Sequence, residues 1–180
     1  AAWAEAADAL LGVYESIAGG TIERLERAAR AFHGGITCAG WARSSLYLIR
    51  ALSLRMAGEF RRLARVTESG LSDATARRDR YLEVTLRRGG IAVKLAADDV
   101  ERARSDLALA HWTPWRQGFH IQHWLELEGE SELALYEGRA ADAMSALEPS
   151  IRAMRRSLVS RLQRVRVLSD GLMGRLILAR

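Results

Sequence analysis

Apolar residues recur at steps of three and four along most of the chain, which is the period of an amphipathic α-helix. This pattern predicts helices over residues 3–17, 22–32, 37–57, 60–77, 79–96, 99–110, 119–137, from about 140 onwards, and 157–179. Gly19-Gly20, Gly34-Gly35, Gly58 and Gly138 separate these segments, and helices commonly end at such glycines. No apolar-polar alternation of useful length suggests a β-strand. The sequence therefore predicts an all-α fold.

Each helical segment has an apolar stripe that we expect to face a core. The expected core positions are Trp3, Ala7, Leu10, Tyr14, Ile17, Ile22, Leu25, Ala29, Phe32, Trp41, Leu48, Leu52, Phe60, Leu63, Val66 or Thr67, Tyr81, Val84, Leu95, Val100, Ala103, Leu107, Ala110, Ala143, Met144, Leu147, Ile151, Leu158, Leu162, Val165, Leu172 and Leu176. Three local features add detail. Gly89-Gly90 suggests a bend or close packing, Asp98 reads as an N-cap with Glu101 three residues later, and Pro149 should kink or split its helix.

Turns between paired helices recur at a fixed interval. Gly58, Asp98 and Gly138 are equally spaced along the chain, and Gly20 precedes Gly58 by nearly the same interval. A repeat of about 40 residues with two helices per unit is typical of an α-solenoid, in which neighbouring hairpins stack to bury their apolar faces. We therefore expect an α-α solenoid of about four helical hairpins. Residues 1–180 should form one helical-repeat domain, and the initial Ala1 suggests a fragment of a larger multidomain protein.

The segment from Leu133 to Leu147, LALYEGRAADAMSAL, resembles a tetratricopeptide repeat (TPR). It has a small residue at Ala134, a turn glycine at Gly138, and Ala143 and Leu147 in the second helix. The other copies match more loosely, and their period is longer than that of a tetratricopeptide repeat. We describe the expected array as TPR-like.

Four further segments, LAADD (95–99), WTPWRQGFHIQH (112–123), LYEG (135–138) and SLVSRLQRVR (157–166), support a second resemblance. From about residue 41 onwards, the chain resembles the helical C-terminal region of large bacterial serine/threonine protein kinases of the myxobacterial and planctomycete type. This resemblance implies a regulatory or scaffold segment downstream of a kinase. It does not imply kinase activity in this chain.

The charge balance is positive, with 27 basic against 22 acidic residues and a net charge of +5. All of the basic residues except Lys94 are arginines, and they are spread over most of the predicted helices. We interpret them as a solvated helical surface, and we do not expect nucleic acid as a partner, because that would require the charge on one face. The single cysteine, Cys38, fits a reducing cytoplasm and reads as a small buried hydrophobe. No stretch approaches the roughly 18 to 20 apolar residues of a membrane span.

The sequence contains none of the motifs that would indicate a common catalytic centre. Phosphate-binding glycine loops, kinase catalytic motifs, HExxH, CxxC and GxSxG are all absent from it. One cysteine also excludes a zinc site built from several thiolates. We therefore expect neither enzymatic activity nor a cofactor.

Histidines and tryptophans are concentrated between residues 111 and 124, where three of the four histidines and three of the five tryptophans occur. Aromatic residues and arginine often anchor partners, so our binding candidates here are Trp112, Trp115, Arg116, His120, Gln122, His123 and Trp124. The favoured alternative is that these rings only pack a long loop onto the helices. A metal site is not expected, since beyond His120 and His123 only His111 or Glu126 could supply a third ligand.

A second candidate surface is basic. It comprises Arg152, Arg155, Arg156, Arg161, Arg164 and Arg166, from which we select Arg161 and Arg164 as binding candidates. A solvated helix face explains this cluster more simply than a site for phosphate or an acidic partner. Helix capping likewise explains Asp98-Asp99 better than a cation site does.

These observations favour a non-catalytic protein-interaction or sensing module of a bacterial signalling protein, attached to a serine/threonine kinase. Its partner would be a protein or peptide, or another domain of the same polypeptide. The first alternative is the small-molecule-sensing helical domain of an ATP-dependent transcription regulator. The second is a basic nucleic-acid-binding domain, whose complex would weaken steeply with added salt.

Overall fold

The computed structural model describes residues 20–33, 40–113 and 117–180, and in these ranges all regular secondary structure is helical. The α-helices are α1 (Thr21–His33), α2 (Gly40–Met56), α3 (Phe60–Arg77), α4 (Arg80–Gly89), α5 (Ile91–Ala96), α6 (Val100–Leu109), α7 (Ile121–Tyr136), α8 (Ala140–Arg156) and α9 (Gln163–Leu178), with a 3-10 helix at Leu158–Arg161. The all-α prediction is confirmed. The helix predicted at 3–17, the glycines at 34 and 35, Cys38 and the side chain of Phe32 lie outside the described residues.

The chain divides into two compact units, Ala1–Leu86 and Arg87–Arg180, with the boundary inside α4. In the first unit, α2 packs against both α1 and α3. Among the most deeply buried side chains are Leu25 and Leu63, as predicted, and Leu54 and Leu82, which the predicted stripes did not include. An ion pair of 2.9 Å between Arg62 and Glu26 links α3 to α1.

In the second unit, α7 is the central helix and packs against α5, α6, α8 and α9. Its larger core cluster includes Trp124, Leu127, Leu147, Ile151, Val165, Leu172 and Leu176, and a smaller cluster joins Ile91, Leu95, Ala103 and Leu133. No helix in the described ranges is both long enough and apolar enough to cross a bilayer.

The turns that follow the helices have a regular spacing in the backbone. Positive φ angles occur at Gly58, Arg78, Asp98, Gly118 and Gly138, which are evenly spaced along the chain. After four of these positions, all except Gly118, the next residue donates its N–H to the carbonyl five positions earlier, at 2.8 or 2.9 Å. This is the Schellman arrangement that satisfies the carbonyls at a helix C-terminus. The predicted turns at Gly58, Asp98 and Gly138 are confirmed, and the structure adds a turn of the same kind at Arg78.

The helix that begins after Asp98 is capped differently from the sequence prediction. Asp98 has a φ of +57° and belongs to the preceding turn, whereas Asp99 accepts a 3.1 Å hydrogen bond from the Arg102 amide. Asp79, which follows the left-handed Arg78, caps α4 in the same way at 3.0 Å from the Leu82 amide. The prediction of Asp98 as N-cap was wrong by one residue, because the left-handed turn residue precedes the cap.

Several other local predictions are also corrected. The segment predicted as one helix at 79–96 is divided at Gly90 into α4 and α5. Helix α8 continues through Pro149 and is not split. The last α-helix begins at Gln163, after the 3-10 helix. Side chains expected in the core but exposed are Trp41, Phe60, Tyr81, Leu158 and Leu162. Those expected in the core but only partly buried are Leu48, Leu52, Val100, Leu107 and Met144.

The regular turns lead to a test by reciprocal substitution. We expect Arg78→Gly to raise the free energy of unfolding by about 1 kcal/mol, because a Cβ is unfavourable in the left-handed region. Gly58→Arg should lower it by about 1 kcal/mol for the same reason. Urea unfolding followed by circular dichroism measures both. If the two variants shift the midpoint in the same direction, the turn assignment is wrong.

Candidate functional site

Four aromatic rings of the predicted Trp/His segment meet near the start of α7. The centroid of the Trp112 ring lies 5.5 Å from that of His120 and 5.3 Å from that of His123, both in edge-on orientations. The Phe119 ring lies 5.4 Å from His123. The structure thus brings together three of the predicted site residues, Trp112, His120 and His123. Trp115 and Arg116 lie outside the described residues.

His123 has a structural role at this helix start. The backbone N–H of His120, the N-cap residue, donates to Nδ1 of His123 at 2.9 Å. Burial lowers the pKa of His123, the neighbouring His120 and Arg88 lower it further, and Glu126 opposes them. His123 is therefore a neutral imidazole at pH 7, with Nδ1 as the hydrogen-bond acceptor and the rest of its ring partly exposed.

Two of the other candidates are core residues. Trp124 is 3% exposed, and its Nε1–H donates to the Ser169 hydroxyl at 2.9 Å, which joins α7 to α9. The Ser169 hydroxyl in turn donates to the sulfur of Met154 at 3.3 Å. Gln122 is also buried. These two side chains pack inside the second unit and are not available on an open surface.

A groove of about 710 Å³ runs between α7 and α8 and is open to solvent along one side. One wall comes from the start and middle of α7 and the residues before it, namely Gly118, Phe119, His123, Glu126, Leu127 and Glu130. The other wall comes from the second half of α8 and its end, namely Pro149, Ser150, Ala153, Arg156 and Ser157. Of the predicted site residues that the structure describes, only His123 lines this groove.

A buried arginine lies behind the α7 wall. Arg88 is 2% exposed, its Nη1 donates to the backbone carbonyl of Gln122 at 2.7 Å, and its Nη2 lies 2.9 Å from Glu126 Oε1. A guanidinium with both a backbone and a carboxylate partner is held in one orientation. Arg88 therefore compensates the charge of Glu126 from behind the groove.

Glu130 lies one helical turn beyond Glu126 on the same wall and makes no direct ion pair with Arg88. Within the described part of the chain, no hydrogen bond or ion pair is formed by its carboxyl group. Glu130 is an exposed residue. Burial against the groove wall nevertheless raises the pKa of this carboxyl, the Glu126 carboxylate raises it further, and Arg88 opposes both.

Most of the predicted basic surface lies outside the groove that His123 lines. Arg161 is exposed and Arg164 half-buried, while Arg155, Arg156 and Arg166 are exposed and Arg152 pairs with Glu148 at 3.3 Å. Of these residues, only Arg156 borders the groove. Elsewhere many arginines contact carboxylates, as in the pairs Arg43–Asp73, Arg87–Asp106 and Arg175–Glu132, each at 2.6 Å.

Across the described ranges, no three His, Cys, Asp or Glu side chains converge as metal ligands would. Within the groove, the side chains available to a ligand are apolar surfaces, two carboxylates, one guanidinium, one neutral imidazole and the serines Ser150 and Ser157. Such a set is suited to holding a ligand through apolar contact and charge.

Sequence reasoning missed Glu130 and all of the α8 wall except Arg156, which it placed in the basic cluster. A signal for the α7 wall does exist, because His123, Glu126 and Glu130 follow one another at steps of three and four and so share a helix face. No equivalent signal identifies Pro149 or Ala153 as their neighbours, because that depends on how α8 packs against α7.

Comparison with known proteins gave no match: no protein-family model, no curated protein and no solved structure matches this chain.

Proposed function

We propose that the chain is a TPR-like α-solenoid and acts as a non-catalytic interaction module, with the groove between α7 and α8 holding a segment of a peptide or protein partner. The observation that carries the proposal is the groove itself. It is open to solvent, has apolar surfaces from Phe119, Pro149 and Ala153, and holds a carboxyl group that has no partner in the described part of the chain. Peptide-binding sites in helical repeats are of this extended and open kind.

The packing of the second unit supports the solenoid part of the proposal. Helix α7 contacts α5 and α6 before it, its hairpin partner α8, and α9 after it, as stacked hairpins require. The successive turns also touch. The Tyr136 hydroxyl donates to Asp98 at 2.6 Å, and Arg104 pairs with Glu137. The left-handed residues Asp98, Gly118 and Gly138 are evenly spaced, as a regular repeat of helices and turns requires.

The resemblance to kinase C-terminal regions extends this proposal to a cytoplasmic signalling protein. Its test is the full-length open reading frame, in which we expect a serine/threonine kinase domain upstream of this chain. A helix-turn-helix domain downstream would instead favour the transcription-regulator alternative.

A small-molecule site is the second candidate function, because the volume of the groove lies within the range of about 300 to 1,000 Å³ common to small-ligand pockets. Such pockets enclose most of their ligand, however, whereas this groove is open along one side. The openness of the groove therefore favours a ligand that stays partly exposed, such as a segment of a larger partner.

Selection from a displayed library of short random peptides tests the proposal. The groove variant is Ala153→Tyr, in which the new ring fills the space between the walls. The matched control is Ala141→Tyr, on an exposed position of α8 outside the groove. We expect selected peptides to bind the wild type and Ala141→Tyr equally, and to lose about tenfold in affinity with Ala153→Tyr.

Circular dichroism of the three proteins should show that all are folded. The proposal fails if no peptide is enriched on the wild type, or if the enriched peptides bind Ala153→Tyr as well as they bind the control.

A further inference from the structure

We propose that the groove selects a peptide with a positively charged side chain, which forms an ion pair with Glu130 at the end of the groove nearest the α7–α8 turn. This inference rests on the proposed function and names the chemical class of its ligand. Three features of the groove favour such a ligand: the arrangement of its charges, the environment of the Glu130 carboxyl, and the apolar surface beside it.

The charges of the groove are distributed unequally between its two ends. Helices α7 and α8 are joined at the Gly138 turn, so Glu130 and Pro149 lie toward the turn while His123 and Arg156 lie away from it. His123 and Glu130 are two turns apart on α7, or about 10 Å. The end near the turn is therefore acidic and the far end carries the exposed Arg156 guanidinium.

Glu126 and Glu130 are not equivalent within the acidic end. Glu126 already has a partner in the buried Arg88, at 2.9 Å, and that guanidinium is held in place by the Gln122 carbonyl. Glu130 has no ion-pair partner in the described part of the chain. An incoming cation would therefore gain most at Glu130.

The environment of Glu130 makes such a cation favourable. Burial and the Glu126 carboxylate both raise the pKa of Glu130, so its ionisation is less favourable than that of an ordinary glutamate. A positive charge within about 4 to 6 Å reverses this effect, because it stabilises the carboxylate directly. A cationic ligand would therefore compensate a carboxyl group whose ionised form lies beside the Glu126 carboxylate in the free protein.

The groove surface near Glu130 also fits a long basic side chain. Pro149 lies toward the same end of the groove as Glu130, is exposed and offers apolar surface, whereas Leu127 lies beneath the groove floor. Arginine and lysine place their aliphatic stems along such surfaces while the charged end reaches a carboxylate. An anionic or neutral side chain would leave Glu130 without compensation.

Binding should therefore depend on pH. The pKa of Glu130 is raised in the free protein, and an ion pair with the ligand lowers it, so binding releases a proton over the pH range between the two values. Affinity should fall as the pH drops through the pKa of the free state. A Glu130→Gln variant keeps the other charged and titratable groups of the groove, which are Glu126 with Arg88, His123 and Arg156. A difference between its pH profile and that of the wild type is therefore due to Glu130.

The experiment uses the groove-dependent peptides from the displayed library and the variants Glu130→Gln and Arg156→Gln. We expect arginine or lysine to be enriched severalfold at one fixed position. Glu130→Gln should weaken these peptides about fivefold. It should have no effect on a peptide in which that basic residue is replaced by glutamine. Arg156→Gln is the matched control at the other end of the groove. It should bind the basic peptides at least as tightly as the wild type does.

The outcomes separate this inference from the proposed function. Groove-dependent peptides without basic enrichment, or basic peptides that bind Glu130→Gln as tightly as the wild type, overturn the inference and leave the interaction module intact. A pH profile that is identical in Glu130→Gln and the wild type also overturns it. If no peptide depends on the groove, the proposed function fails and this inference fails with it.

Discussion

Replacing Trp124 with alanine should lower the free energy of unfolding by about 3 to 5 kcal/mol, the range for deleting a large aromatic side chain from a core. Trp124 is 3% exposed and belongs to the larger core cluster of the second unit. Its indole N–H also bonds to Ser169 on α9, so the substitution removes both apolar contact and a link between two helices. Denaturant unfolding monitored by far-UV circular dichroism gives the value.

The matched control for this experiment is Trp41→Ala. Trp41 is 76% exposed on α2, so its removal should change the free energy of unfolding by less than about 0.5 kcal/mol. Trp124→Phe separates the two contributions at Trp124, since it keeps a ring but loses the bond to Ser169. If Trp41→Ala lowered the free energy of unfolding as much as Trp124→Ala does, the assignment of Trp41 as exposed and Trp124 as buried would be wrong.

Introducing leucine at Gly129 should destabilise the protein by about 3 kcal/mol, at the upper end of the usual range for overpacking. Even a methyl group at Gly129 would lie 3.0 Å from Leu107 Cδ2 and 3.2 Å from Ile91 Cγ1. The backbone carbonyl of Arg88 is 3.5 Å away, so the larger side chain has no direction in which to move. Gly129 is where α7 approaches α5 and α6 closely.

Gly171→Leu is the control for this position. Gly171 is inside α9, and among the described residues no atom outside its own helical backbone lies within 4 Å of a methyl group placed there. Because leucine favours a helix more than glycine does, this variant should be stabilised by about 0.5 to 1 kcal/mol. Thermal and urea unfolding of the pair measure the difference. Equal effects at the two glycines would show that close helix packing does not explain Gly129.

Much of the secondary structure could be predicted because helical periodicity is a local property. The apolar steps through Leu63 and Val66, and through Leu172 and Leu176, correspond to helices with those residues buried. The turns at Gly58 and Gly138 were predictable because glycine readily adopts the left-handed conformation that they require. Arg78 adopts that conformation without any such marker in the sequence.

The predicted core positions were less accurate at the edges of the apolar stripes. Trp41 and Leu158 were expected in the core, yet both are exposed, at 76% and 74%. In α2 the buried face carries Leu46, Tyr47 and Leu54, so the predicted stripe was out of phase there, and Leu158 lies in the 3-10 helix. A stripe shows which residues share a face but not how much of that face another helix covers. Pro149 likewise lies inside a continuous helix, against the local expectation.

The candidate site, too, could be predicted from the sequence only in part. The sequence indicated a Trp/His segment of interest, and the rings of Trp112, His120 and His123 do meet. The roles within that segment differ, because Trp124 packs into the core while His123 borders the groove. Only the packing of α8 shows that Glu130 faces a cavity.

By itself, the sequence determined that the described chain is helical and where most of its helices end. Both depend on residues only a few positions apart, through apolar spacing and the conformational freedom of glycine. The tertiary structure decided which stripes are covered, that Arg88 is buried behind Glu126, and that Glu130 lines a groove with Pro149 and Ala153. These features join residues far apart in the chain, and their positions depend on how whole helices pack, which no local pattern records.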